Sequence, residues 1–224
     1  MSTEELIQPT FECSHIRRYE FANTLTHGFG LVLSLVGGVF LITLATLRGD
    51  VWHILSCSIF ALSLSLLYAV STLYHLVRNP SLKHALRIMD HSCIYLLIAG
   101  SYTPFTLTVM RGGIGWTLFM VVWAIALVGI TIKVFTRYRY GFVSVLIYLV
   151  MGWLVVLVIR PTLDVVPVSG VLWLLAGGLA YTGGVLLFSM DRIPYNHALW
   201  HLCVMAGSAC HYLAVMLYVV PPSS

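Results

Sequence analysis

Two short stretches carry the residues best suited to chemistry. Asn196-His197-Ala198-Leu199-Trp200-His201 stands at the mouth of the last apolar run, with its histidines at i and i+4. On a helix that spacing puts both imidazoles on one face, with Cβ atoms about 5–6 Å apart, which suits two ligands gripping one metal ion. Ser71 and His75 repeat the same spacing near the end of the second apolar run. Asp90 and His91 open the third run, and Glu20, Asn23 and His27 share one helical stripe at the start of the first.

Such groups are costly in lipid unless they have work or partners. The neutral imidazoles of His75, His197 and His201 suffice for a zinc ion with its fourth position left for water, the openness that separates catalytic from structural zinc. Asp90 would orient or deprotonate that water, and Ser71 would hydrogen-bond it. Zinc would lower the water's pKa toward about 7 and polarise a carbonyl, the logic of metal-assisted hydrolysis. Glu20, Asn23 and His27 would support the ligands or gate the substrate. The same ligand set also fits a zinc that only staples helices together, and iron, cobalt and nickel accept the same donors. His211 lies ten residues past His201, about 15 Å further along a helix. It is read as a hydrogen-bonded core histidine in preference to a gate.

The elements that must position these groups are membrane spans. The chain has 224 residues, of which 59% are hydrophobic and only 9% charged, whereas a soluble domain carries roughly a quarter charged residues. Seven apolar runs have the length a crossing needs, about 20 residues: Thr24–Leu47, Trp52–Val77, Leu86–Thr108, Gly113–Ile132, Phe142–Ile159, Val166–Met190 and Tyr195–Val220. Their linkers are short, so consecutive spans should be antiparallel neighbours. The expected fold is all-α: an integral membrane bundle of seven transmembrane helices over residues 20–220. A polar cytoplasmic segment (1–19) precedes it and a short outer tail (221–224) follows. No apolar leader with a cleavage site opens the sequence.

With seven spans, nine of the twelve lysines and arginines fall on the side of the N-terminus, among them Lys83, Arg87, Lys133, Arg137 and Arg139. The positive-inside rule then places the N-terminus in the cytoplasm and the C-terminus outside. Under that orientation the polar groups of all four helices gather at the inner end, while His53 belongs to an outer loop. The net charge of +4 reflects loops beside a membrane. No clustered basic stripe marks a nucleic-acid surface. Five scattered cysteines, Cys13, Cys57, Cys93, Cys203 and Cys210, argue against a disulfide framework. Ala176, Ala180 and Gly184 are spaced for close helix approach, and Pro104 should bend the third span.

The segments Ser71–His75, Asp90 with Ile94–Pro104, and His197–His201 with His211 together resemble the progestin and adipoQ receptor family. The opening Glu20–His27 and the short-looped chain resemble its bacterial hemolysin III branch. The resemblance covers the chain from Glu20 onward. It implies seven transmembrane helices with the N-terminus inside. It also implies zinc held by His75, His197 and His201, with Ser71 and Asp90 near the bound water, and kinship with membrane amide hydrolases of the ceramidase type. The long N-terminal domain of the animal receptors is missing, so a hormone-binding role does not transfer.

Three functions follow as expectations. The first is a zinc-dependent hydrolase of lipid amides or esters, its substrate entering from the bilayer of the plasma membrane (the inner membrane of a Gram-negative host). Level with it is a non-catalytic regulator of membrane lipid or energetic homeostasis with structural zinc. A haemolytic pore comes third, since only His211 extends polarity outward.

Overall fold

The computed structural model describes residues 3–136 and 141–220, with side chains from Arg17 onward. The side chain of Cys13, and the whole of Arg137, Arg139 and the tail 221–224, lie outside the described residues. The described chain is helical throughout, with no strand: α1 (Thr3–Arg48), α2 (Val51–Leu76), α3 (Pro80–Leu107), α4 (Gly113–Phe135), α5 (Gly141–Gly152), a 3-10 turn (Leu154–Val158), α6 (Ile159–Val165), α7 (Val168–Phe188) and α8 (Asn196–Tyr218).

Local chemistry sets the ends. The Asp50 carboxylate accepts from the backbone N–H groups of Trp52 and His53 and so starts α2. His53 thus belongs to the first turn of α2, not to a loop as its sequence position implies. Asn79 caps α3 by accepting from the Leu82 N–H, and Pro80 occupies the first helical position, where no N–H is needed. α8 starts differently. Tyr195 precedes it at φ 58°, a left-handed conformation that costs a non-glycine residue about 1–2 kcal/mol. Its ring stacks on Tyr19 with centroids 4.4 Å apart, tying the entry of α8 to α1.

Among the described residues, six helical stretches are long and apolar enough to cross a membrane: Arg17–Arg48, α2, α4, Gly141–Val165, α7 and α8. α3 is the departure from the seven apolar runs. Its 28 residues extend about 42 Å, but Lys83, Arg87 and Asp90 in its first half lower its apolar character. Lys133 is a second departure. It lies inside α4 rather than in a loop, 3% exposed, and its Nζ donates to the Tyr148 hydroxyl at 3.1 Å.

The fifth apolar run is interrupted as well, between α5 and α6. Loose backbone polar groups inside a bilayer need partners, and one hydroxyl supplies them here. Tyr102 Oη of α3 lies 2.8 Å from the Gly152 carbonyl and accepts from the Val155 N–H at 3.1 Å. Pro104 is accommodated within α3, which continues to Leu107.

α1 packs on α2 and α8, α2 on α3, α3 on α4, and α7 on α8. One apolar core runs through α1, α2 and α8, with Leu41, Phe60, Leu67, Val204 and Val215 at its centre. A second joins α3, α4 and α5 around Tyr95, Val122 and Met151. Gly184 meets Trp200 and Cys203, where a Cβ would lie 2.7 Å from each, so the small-residue spacing on α7 does serve close approach to α8. Cys57, Cys93, Cys203 and Cys210 are free thiols. Large apolar side chains such as Val39, Phe135 and Leu157 face outward, as lipid contact requires.

Tyr102→Phe removes the hydroxyl that satisfies the interrupted helix. It should destabilise the bundle by about 1–3 kcal/mol, seen as a lower thermal-unfolding midpoint in detergent. An unchanged midpoint would contradict this account of the break.

Candidate metal centre

Antiparallel alternation brings the Glu20–His27 stretch of α1, the late turns of α2 and the early turns of α3 and α8 to one end of the bundle. α2 contributes Ser71 and His75 one turn apart, both buried, and α8 contributes His197 and His201 from its first two turns. One ring nitrogen from each of His75, His197 and His201 lies within 4.8 Å of the other two. His75 and His201 are buried and His197 is half-buried. The rings are packed edge to face, with centroids 4.9 Å apart for His75 and His197 and 4.6 Å for His197 and His201.

Two of the three rings are held at their outer nitrogen from α1. His75 Nδ1 donates to Glu20 Oε2 at 2.7 Å, and Lys83 Nζ of α3 donates to Glu20 Oε1 at 2.8 Å. His201 Nδ1 lies 3.0 Å from Thr26 Oγ1. The inner nitrogen of His75, Nε2, is buried with no hydrogen-bond partner among the described residues. Leaving such an atom unsatisfied costs about 1–3 kcal/mol. A metal ligand has this signature: one nitrogen fixed by a carboxylate, the other bare and facing like donors. The donor set therefore fits zinc, which three imidazoles hold at roughly 2.0–2.1 Å with a fourth position open.

Beside the histidines is a second orphan. Ser71 Oγ is buried without a partner in hydrogen-bonding geometry among the described residues. Its polar neighbour is the Asp90 carboxylate of α3. The Asp90 side chain is 14% exposed, so it is screened from solvent yet not sealed off.

The remaining sequence candidates fall into place around this centre or away from it. His27 stacks flat on His201, with centroids 3.4 Å apart, and neither of its nitrogens has a partner among the described residues. Asn23 is buried, and its carbonyl accepts from Thr26. His91 turns away and bonds the Arg87 carbonyl of its own helix. His211 is outside the three-histidine group. Its Nε2 donates to the Leu174 carbonyl at 3.3 Å, and its ring fills the space left by Gly177. Two contributors escaped the sequence reading. Thr26 is one, although it lies three residues past Asn23 on the polar stripe. Lys83 is the other, read there only as a loop charge.

This fold and this cluster define a class: an all-helical protein integral to the plasma membrane, with buried imidazoles gathered at one end of the bundle. Residues 16–212 match the family model described as Haemolysin-III related, and the chain belongs to that family. It is 42% identical over 205 residues to Hemolysin-3 of Bacillus cereus, covering 92% of this chain and 94% of that protein. It is 43% identical over 201 residues to the Hemolysin-3 homolog of Bacillus subtilis (strain 168), covering 90% and 94%. The human Monocyte to macrophage differentiation factor is 33% identical over 205 residues, covering 88% and 83%.

The ligand set predicts that His75→Ala and His201→Ala each lower bound zinc at least about tenfold, measured by mass spectrometry on purified protein. Equal metal in wild type and both variants would rule the assignment out.

Proposed function

We propose that this protein is a zinc-dependent hydrolase of a lipid amide or ester, acting at a site near the cytoplasmic face. The observation that carries the reading is the pairing of two orphaned atoms, His75 Nε2 and Ser71 Oγ, next to the Asp90 carboxylate. An apolar bundle under no functional demand would fill such a place with hydrocarbon.

His75, His197 and His201 would hold the ion, which supplies a Lewis acid and a water of lowered pKa. Asp90 takes the proton of the attacking water on a carboxylate oxygen and returns it to the leaving amine nitrogen or alkoxide oxygen. That is general acid–base work worth about 10²–10⁴ in rate. Ser71 Oγ donates to the carbonyl oxygen as negative charge develops there. The half-buried His197 and the partly exposed Asp90 mark the edge from which a membrane lipid enters.

In this reading α3 is a seventh crossing. Its charged first half stands in the inner interfacial region, where Lys83 is held by Glu20. Residues 20–220 then form a single seven-helix domain, N-terminus inside and C-terminus outside. The charge asymmetry of the loops supports that orientation. A regulator of membrane homeostasis in which zinc is only a staple shares the ligands. It has in its favour the hydrogen bonds that tie α1 to both His75 and His201. The pore stays third, because the polar residues beyond the centre close on one another: the Tyr68 hydroxyl donates to Ser208 Oγ, which also lies 2.9 Å from the Tyr181 hydroxyl.

Zinc-loaded protein should release fatty acid from a panel of acyl amides and esters. Asp90→Ala should keep its zinc and lose at least about 100-fold in that rate. Undiminished release by Asp90→Ala would remove it as the base, and no release by loaded wild type would leave the staple. For orientation, a C-terminal alkaline phosphatase fusion should be active; an inactive fusion with a fluorescent cytoplasmic reporter would reverse the topology.

A further inference from the structure

Beyond tying α1 to α8, the Thr26 hydroxyl is placed to decide which nitrogen of His201 is free. Thr26 Oγ1 lies 3.0 Å from the carbonyl oxygens of both Ala22 and Asn23, one turn back along α1. A hydroxyl has a single proton. Threonines in these helices give that proton to the preceding turn: Thr24 to Glu20, Thr43 to Val39, Thr46 to Ile42 and Thr72 to Tyr68. With its proton so committed, Thr26 Oγ1 faces His201 Nδ1 as an acceptor. His201 Nδ1 must then carry the hydrogen, which leaves Nε2 as the bare nitrogen.

We propose that Thr26 is a positioning residue that holds His201 in the Nδ1–H tautomer and turns Nε2 to the three-histidine cluster. Glu20 does the same for His75, since a carboxylate salt-bridged to Lys83 can only accept from Nδ1. Two of the three histidines, one on α2 and one on α8, are therefore set by one stripe of α1. His27 completes this support by stacking on the His201 ring and limiting its rotation. The function of this arrangement rests on the metal reading, but the tautomer does not.

Three variants test it. Thr26→Val keeps the shape and removes the acceptor, Thr26→Ser restores it, and Thr24→Val removes an equivalent back-bond that faces no histidine. In chelator competition, Thr26→Val should weaken zinc binding about 10–100-fold, while Thr26→Ser and Thr24→Val stay near wild type. Nitrogen-15 spectra of His201 in metal-free protein should show the Nδ1–H tautomer in wild type and a mixture of tautomers in Thr26→Val. Wild-type zinc binding that Thr26→Val leaves unchanged would overturn the role of Thr26 and leave the metal centre standing. Absence of zinc binding in wild type would overturn the metal centre, and the spectra would then decide the tautomer alone. A wild-type His201 carrying its hydrogen on Nε2 would overturn the proposal outright.

Discussion

A single carboxylate holds one end of this bundle together. Glu20 of α1 takes His75 of α2 on one oxygen and Lys83 of α3 on the other. Each partner alone would be expensive at that depth in an apolar bundle. Joined, the ammonium compensates the carboxylate, and the carboxylate fixes the imidazole. The arrangement leaves His75 Nε2 buried, with no hydrogen-bond partner among the described residues. The metal reading of the site depends on that bare nitrogen.

The surrounding helices serve the same end. α8 enters through a left-handed Tyr195, so its first two turns bring His197 and His201 to the level of His75. The conformational cost is offset by stacking on Tyr19 of α1. On the far side of α3, Lys133 and Tyr148 bind α4 and α5 to the backbone of His91, next to Asp90. α3 therefore carries its charged residues between two polar contacts, one on each flank. That explains how a helix with a charged first half can sit inside the bundle.

Much of this was legible in the sequence because helix periodicity is local. The i,i+4 pairs Ser71/His75 and His197/His201 announce shared faces, and the alternation of short-linked runs puts those faces at one end. Other features depend on partners distant in the chain. Nothing near Gly152 says that the helix breaks there, because the hydroxyl that tolerates the break is Tyr102, 50 residues earlier. Thr26 reads as one more helical threonine until α8 is packed against it, and Lys133 reads as a loop cation until Tyr148 is brought beside it. Composition also blurred α3, whose charges sit where ion pairs form.

Three imidazoles, and no sulfur, are expected to hold one metal ion inside this bundle. Zinc-edge X-ray absorption on the purified, metal-loaded protein reads that donor set. A shell of nitrogen and oxygen donors at roughly 2.0–2.1 Å, with outer-shell scattering from about three imidazole rings, is the expected result. A sulfur shell at about 2.3 Å, or a spectrum without imidazole scattering, would contradict it.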